Sequence, residues 1–311
     1  MNKAIKSFLV MIRAPFLSSI ISPITAGLLI SWISAGHINA LRAVIVIFLG
    51  LCLHIATNVY NDIYDTLQGT DMINRHRNQF SGGSGVLVDD PDKMQAMYIV
   101  ARTALAGACI AGLILFFLTG SELRYVLAGL VFLSLFFSKF YTAAPVKLAY
   151  RGWGEVSVWF AFGPMAVLVA AVSQNVGLNP LVLAAMPVTG LSTLSILLLG
   201  QMIDLEADRQ GGKWGIAVRL GTKQTAVFFA AVQSGICVNI IGISLVDISG
   251  LWPVLISLVP YAVIMPRLIP AVLQGHDDPE ALKKAAGMNV SLHLLFSLLL
   301  SAGLFISGMV M

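Results

Sequence analysis

The stretch NVYNDIYDTLQGTD runs from Asn58 to Asp71 and places acids and amides directly after a long apolar run. If the helix continues to Asp65, then Asn58, Asp62 and Asp65 lie at i, i+4 and i+7 and share one face. Asn61 precedes Asp65 by one turn. Carboxylates beside hydrocarbon are unfavourable unless a cation compensates them. The stretch therefore predicts a cation site at the end of a helix.

A second stretch, GQMIDLEADRQGGKWGIAVRLG, repeats this arrangement after another apolar run. Gln201, Asp204 and Asp208 lie at i, i+3 and i+7, again on one face, whereas Glu206 points elsewhere and is expected to be solvated. Acids are unfavourable at a helix C-terminus, where the macrodipole is already negative. Because the pattern occurs twice, it favours a functional site over two solvated helix ends.

Clustered carboxylate oxygens suit Mg²⁺, which typically binds one or two carboxylates together with substrate phosphates. The sequence has no histidine–cysteine cluster of the kind that binds zinc, and its three cysteines lie inside apolar runs. Two facing acid pairs therefore predict two Mg²⁺ ions bridged by a diphosphate, with Asp62, Asp65, Asp204 and Asp208 as metal ligands and catalytic groups. Six basic residues are candidates to neutralise the diphosphate, or equally to anchor the chain at the membrane surface: Arg75, Arg77, Lys139, Lys147, Lys213 and Arg219.

The elements that carry these motifs are predicted to be membrane helices. Of the 311 residues, 58% are hydrophobic and 11% are charged, against about 25% charged in a soluble domain. We therefore expect an all-α integral membrane protein, a single domain over residues 1–311, with nine transmembrane helices bundled around a central cavity. The motifs end the second and sixth spans, which suggests a weak duplication of four-helix units. The expected spans are 16–36, 42–61, 95–119, 123–141, 154–173, 181–202, 223–246, 250–272 and 288–310.

The charges predict the orientation of this bundle. With a cytoplasmic N-terminus, 16 of the 19 lysines and arginines lie on the cytoplasmic side, as the positive-inside rule requires. Thirteen of the 15 acids lie on or near the same side, so we expect the active site there, in a cell inner or plasma membrane. The apolar run in MNKAIKSFLVMIRAPF is too short for a signal peptide and predicts a short helix along the membrane surface.

A glycine-rich loop, RNQFSGGSGVLVDDPDK, follows the first motif. Glycine-rich turns can bind phosphate through backbone N–H groups, but the Lys-Ser/Thr ending of a Walker motif is absent. Residues 81–85 are equally compatible with a mobile lid and with a flexible linker. A lid would keep water from an activated diphosphate.

The pattern NDIYD…D followed by DLEAD…GK…AVRLG resembles the UbiA-type intramembrane aromatic prenyltransferases over nearly the whole chain. The resemblance implies nine helices and a polyprenyl diphosphate held through Mg²⁺ by the two acid pairs. The prenyl carbon would then alkylate an aromatic ring. Substrate contacts are expected from residues in and near the motifs: Asn58, Asn61, Asp71, Arg75, Arg77, Lys139, Tyr141, Lys147, Gln201, Lys213 and Arg219.

Within this family, NDIYDTLQGTD is similar to the 1,4-dihydroxy-2-naphthoate polyprenyltransferases of menaquinone synthesis, because Asp71 follows a Gly-x step. The 4-hydroxybenzoate enzymes usually place that acid where Gly69 stands. FSGGSGVLV and YTAAPVKLAYRGWGE also look like the naphthoate branch. The chain departs from the family at Gln201, where asparagine is frequent, and at Trp214 and Gly215, where Arg-Thr is common. These departures leave the acid pairs unchanged and bear on the identity of the acceptor.

The resemblance implies alkylation of dihydroxynaphthoate with loss of CO₂, and an apolar groove for the prenyl tail that opens to lipid. Tyr141, Lys147 and Glu155 are placed to contact acceptor or phosphate. The groove could be lined by aromatic residues whose default role is ordinary packing: Phe136, Phe137, Trp159 and Phe162.

Three other functions remain open. One is prenylation of another aromatic acceptor, such as 4-hydroxybenzoate. A CDP-alcohol phosphotransferase would need an Asp-Gly-x-x-Ala-Arg stretch, which is absent. A transporter would be expected to place its acids near the bilayer midplane, whereas the acids of this chain are predicted to lie at one membrane surface. No nucleic-acid partner is expected. His54 either hydrogen-bonds the first motif or is buried structurally, and the pair Asn289 and His293 predicts interhelical hydrogen bonds.

Overall fold

The computed structural model describes residues 3–311, with side chains from Ile5 onward, and Met1 and Asn2 lie outside the described residues. The described residues form helices and connecting turns, without a strand. This is the expected outcome for an apolar chain, because a helix satisfies its backbone hydrogen bonds internally where water is absent.

Nine long helices, here α1 to α9, dominate residues 3–311. The fifth contains a π-helical turn at Ala161–Met165, around Pro164. The bounds are α1 Ser18–Ala35, α2 Ala40–Leu67, α3 Met94–Leu118, α4 Arg124–Phe140, α5 Gly154–Ser173, α6 Pro180–Ile203, α7 Thr222–Ser244, α8 Val259–Gln274 and α9 Pro279–Val310. Short helices lie between or before them: Lys3–Met11, Ala14–Leu17, Thr70–Ile73, Val86–Asp89, Pro91–Lys93, Leu148–Arg151, Leu205–Gln210, Ile216–Leu220, Ile248–Leu251 and Trp252–Leu258.

Eight helical segments of the described chain are long and apolar enough to cross a membrane. They match eight of the nine predicted spans, including the two that we separated at DISG. The remaining predicted span, at 123–141, forms α4. Its 17 residues are fewer than the about 20 that a bilayer requires. The all-helical membrane fold is thus confirmed, whereas nine spans, the cytoplasmic N-terminus and the internal duplication stay predictions.

Two apolar clusters flank the centre of the bundle. One is built mainly from α6 to α9 and buries Leu198, Phe229 and Phe296. The other is built mainly from α2 to α5 and buries Leu49 and Leu127. Helices α1 and α5 contribute side chains to both clusters. The polar cavity described below lies where these two halves meet.

Buried hydrogen bonds join α6 and α7 to α9. Ser192 Oγ and His293 Nδ1 are 2.8 Å apart, and Gln233 Nε2 donates to Asn289 Oδ1 at 2.6 Å. These contacts confirm the prediction of interhelical hydrogen bonds for Asn289 and His293. Because α6 leads into the second acidic motif, its attachment to α9 also sets the position of that motif.

Candidate active site

A polar cavity of about 180 Å³ lies at one end of the bundle, where α2 and α6 end. Acids of both motifs line it, although they are far apart in the chain. Two basic residues also reach its wall, Arg13 and Lys213. The cavity-lining carboxylates are Asp65, Asp71, Asp204 and Asp208.

The first motif lies on α2, which continues to Leu67 as its spacing required. Asp65 is 2% exposed and holds three partners. Tyr150 Oη donates to Asp65 Oδ1 at 2.8 Å, while Asn61 Nδ2 donates to Oδ2 at 3.0 Å. Lys213 Nζ lies 2.8 Å from the same Oδ2. An ammonium from the second motif region thus compensates a carboxylate of the first.

Asp62 is held differently from Asp65. Its Oδ2 accepts the backbone N–H of Ser84 at 3.0 Å, whereas its Oδ1 is buried and has no hydrogen-bond partner among the described residues. A Cβ placed on Gly83 would lie 2.5 Å from Asp71 Oδ2 and 3.1 Å from Asp62 Oδ1. Asp62 and Asp71 therefore face the same small space, which only a glycine leaves open.

The second motif does not continue α6 as a straight helix, which corrects the expectation of one unbroken face. Helix α6 ends at Ile203, and a short helix begins at Leu205. Asp208 N–H still donates to Asp204 O at 2.9 Å, so the one-turn spacing survives the break and both acids line the cavity. Glu206 is exposed, as expected.

The glycine-rich loop lies against both motifs. Gly82 N–H donates to Asp204 Oδ2 at 2.9 Å, two residues before the contact of Ser84 with Asp62. Asn74 Nδ2 donates to Asp204 Oδ1 at 2.8 Å. Gly82, Gly83 and Gly85 have φ between +71° and +77°, a conformation that glycine adopts without strain. Residues 81–85 thus cover the acids in the manner of a lid, and lid motion stays a prediction.

Burial makes the negative charge of the site unfavourable. Burial, together with the carboxylates of Asp65 and Asp62, raises the pKa of Asp71 to about 8. Burial also raises the pKa of Asp208 to about 8, against the opposing effect of Lys213. Burial lowers the pKa of Lys213, but the nearby carboxylates outweigh it, so that its pKa lies well above the ordinary lysine value. The cavity is therefore short of positive charge.

The arrangement fits a divalent cation that shares its coordination with a substrate. Asp62 Oδ1 is a buried carboxylate oxygen without a partner, and hard oxygen ligands suit Mg²⁺. Among residues 3–311, no three acid, histidine or cysteine side chains converge closely enough to cage a metal. Water or phosphate oxygens would have to complete the coordination, which is how Mg²⁺ is usually bound.

Of the six predicted cations, only Lys213 reaches the cavity. Arg77 instead pairs with Asp89 at 3.0 Å, and Arg75 is exposed and lines an adjacent cavity, not the polar one. The remaining three, Lys139, Lys147 and Arg219, do not line the cavity. Lys139 and Arg219 are exposed, and Lys147 Nζ lies 5.8 Å from the centroid of the Tyr150 ring. Their assignment as substrate contacts stays a prediction.

Sequence reasoning missed four partners of the acids, namely the side chains of Asn74 and Tyr150 and the amides of Gly82 and Ser84. It also missed Arg13 as part of the cavity wall. Arg13 lies between the Lys3–Met11 helix and α1 with φ +53°, and its guanidinium stacks 4.7 Å from the ring centroid of Phe16. The signal for Arg13 was a lone cation that interrupts an apolar run. Four other residues predicted to contact the substrate are part of the cavity wall. Asn58, Asn61, Tyr141 and Gln201 all line the cavity.

An apolar cavity of about 90 Å³ adjoins the polar one, bounded by α1, α2, α4 and α5. Five residues line both cavities and form their common wall: His54, Thr57, Tyr141, Val158 and Phe162. Of the aromatic residues predicted for a tail groove, Phe137 and Phe162 line the apolar cavity, whereas Phe136 and Trp159 do not. His54 is 6% exposed and packs edge-on against Phe162.

Known proteins are similar to this chain in sequence. The model of the UbiA prenyltransferase family matches residues 20–296. A 2-carboxy-1,4-naphthoquinone phytyltransferase of Synechocystis is 26% identical, over 96% of this chain and 92% of that protein. A 1,4-dihydroxy-2-naphthoate octaprenyltransferase of Escherichia coli is 25% identical, over 97% and 96%.

Solved structures share the arrangement of helices. A UbiA homologue from Archaeoglobus fulgidus superposes with a TM-score of 0.63 at 13% identity, over 95% of this chain and 99% of that one. The same homologue bound to DMAPP and Mg²⁺ gives a TM-score of 0.60 at 12% identity, over the same shares. The family match covers most of the chain and the fold agrees with it, so this protein belongs to the UbiA prenyltransferase family and is a prenyltransferase.

Proposed function

We propose that this protein transfers a polyprenyl group from polyprenyl diphosphate to 1,4-dihydroxy-2-naphthoate, with Mg²⁺ and with loss of the carboxylate as CO₂. The observation that carries the proposal is the junction of the two cavities. An acid-lined cavity suited to a metal-bound diphosphate shares its wall with an apolar cavity suited to a hydrocarbon tail. The names of the Synechocystis and E. coli relatives support a naphthoate acceptor.

We assign the metal ligands and the positive charge at the leaving group to the following residues. Asp62 and Asp65 on one side, and Asp204 and Asp208 on the other, would hold Mg²⁺. When bound, the metal would neutralise the charge of the diphosphate and so favour its departure. Lys213 would add a fixed positive charge at the leaving group, a preorganised contribution that needs no rearrangement during the reaction.

The chain also has to protect the reacting carbon from water. The loop at residues 81–85 covers the acids through the amides of Gly82 and Ser84, which limits hydrolysis of an activated donor. As the allylic C–O bond breaks, the diphosphate leaves with the electron pair. The prenyl carbon forms a bond to the electron-rich ring, and the carboxylate leaves as CO₂, whose bonding electrons return to the ring and restore its aromaticity. The acceptor would enter from the wall that carries Tyr141 and Gln201.

The test is a product analysis with purified protein, Mg²⁺, a polyprenyl diphosphate and a panel of aromatic acceptors. We expect diphosphate release and a prenylated, decarboxylated naphthoquinol, identified by mass spectrometry. Turnover of 4-hydroxybenzoate but not of dihydroxynaphthoate would transfer the proposal to the other acceptor branch.

Two variants test the metal ligands. Asp62→Ala and Asp204→Ala should abolish turnover while the protein stays in the membrane. Glu206→Ala is the matched control, because Glu206 belongs to the same motif but is exposed and lies 4.0 Å from Arg209. Full activity in either aspartate variant would refute the assignment.

A further inference from the structure

A buried pair of side chains lies behind the second motif. Gln201 Nε2 donates to Glu155 Oε1 at 2.6 Å, and the same oxygen accepts the backbone N–H of Ile216 at 2.7 Å. Glu155 is 4% exposed and Gln201 is 7% exposed. Glu155 therefore joins α6 to the segment that follows the second motif, and it fixes the orientation of the Gln201 amide.

That orientation leaves one polar atom unsatisfied. A carboxylate only accepts hydrogen bonds, so the amide nitrogen must face Glu155 and the amide oxygen must point away from it. Gln201 Oε1 is buried and has no hydrogen-bond partner among the residues whose side chains are described. Gln201 lines the polar cavity, as Tyr141 and Lys213 do. A buried acceptor of this kind is unfavourable until a bound molecule donates to it.

Gly215 supplies the room for this amide. A Cβ on Gly215 would lie 2.6 Å from Gln201 Nε2 and 2.9 Å from Oε1. Gln201 and Gly215 are two of the positions at which the chain departs from the residues common in its family, and the structure places them in contact. Glutamine is one methylene longer than asparagine, and the missing side chain at residue 215 accommodates the difference.

We propose that Glu155, Gln201 and Gly215 form one unit that binds the acceptor ring. Gln201 Oε1 accepts a hydrogen bond from a ring hydroxyl of the aromatic acceptor, Glu155 is a positioning residue for the amide, and Gly215 leaves space for it. The inference rests on the proposed function and goes further by assigning the acceptor contact. The amide oxygen cannot donate to a diphosphate, whose charge is met instead by Lys213 and by the acids through their metal.

A double-mutant cycle tests the unit: Gln201→Asn, Gly215→Thr and the double variant. Each single change should raise the acceptor KM by roughly tenfold, the size of one hydrogen bond. The double variant should lose less than the product of the two single losses, because the shorter amide withdraws from the new Cβ. Gly215→Thr should also lower the Tm of the free protein, and addition of Gln201→Asn should restore part of it. The donor KM should stay unchanged throughout.

Trp214→Arg is the matched control, since Trp214 is also a departure from the family but its side chain is 57% exposed. It should leave both KM values unchanged. Independent losses in the cycle, or a change in the donor KM or in the Mg²⁺ requirement instead of the acceptor KM, would overturn the inference.

A second measurement keeps the inference testable if Gly215→Thr does not fold. The wild-type protein should use an acceptor with both ring hydroxyls methylated roughly tenfold less well than the free diol, and Gln201→Asn should lose this discrimination. Equal discrimination by both proteins would contradict the hydrogen bond. If the wild-type protein prenylates no acceptor at all, the proposed function fails. If the wild-type protein prenylates an acceptor but the variants behave like wild type, only the proposed acceptor contact fails.

Discussion

The ion pair between Lys213 and Asp65 should be the most sensitive contact of the site. Its atoms are 2.8 Å apart, and the side chains are 16% and 3% exposed. At an effective dielectric constant of about 20, two unit charges at this distance attract by about 6 kcal/mol. Desolvation offsets part of that attraction, and removal of one partner of a buried pair typically destabilises a protein by about 3–5 kcal/mol.

Lys213→Met keeps most of the length of the side chain and removes its charge. Asp65 would still accept from Tyr150 and Asn61, so we expect the lower end of that range, about 3 kcal/mol of unfolding free energy. Chemical denaturation in detergent micelles without Mg²⁺ measures it. Mg²⁺ should restore part of the loss, because the freed carboxylate binds the cation without competition.

Turnover should fall by roughly a hundredfold in the same variant, comparable to the loss of one preorganised group at a developing negative charge. Lys139→Met is the matched control, since Lys139 is exposed and packs on Phe140. If Lys213→Met and Lys139→Met were equally stable and equally active, the reasoning from the ion pair would be wrong.

Three further results are expected. Because Asp71 and Asp208 have pKa values of about 8 and Mg²⁺ needs ionised ligands, Mg²⁺ affinity should rise between pH 6 and about 8 and then level off; calorimetry that shows a flat profile would contradict this. Gly83→Ala should abolish turnover, whereas Gly36→Ala, at a similar φ but with nothing within 4 Å of its Cβ, should change stability only. Ala166→Phe fills the apolar cavity and should slow transfer from long donors more than from geranyl diphosphate, as competition assays with both donors would show.

The sequence alone determined the chemistry and most of the helices. Hydropathy is summed over contiguous residues, so the spans could be placed from the chain without knowledge of its neighbours. The face shared by Asp62 and Asp65 follows from helical periodicity, and α2 continues through both. The paired motifs also identified the family, because two such motifs in one apolar chain are specific together.

Hydropathy and residue spacing were less informative where a helix is interrupted. The span prediction placed the end of α6 within one residue, but the break between Ile203 and Leu205 was missed, because the acids that follow suit a continuing helix by spacing alone. There the path of the backbone depends on packing and on hydrogen bonds to other segments, such as those from Asn74 and Gly82 to Asp204.

Only the tertiary structure decided which side chains complete the site. Six cations were equivalent in the sequence, and the fold brings Lys213 to Asp65 across 148 residues while Arg77 is taken by Asp89. The place of Arg13 in the cavity wall and the contact between Gln201 and Gly215 also could not be predicted, because each depends on which segments the fold brings together. Spacing along one helix predicts a face, whereas the partner of that face depends on how separate helices pack.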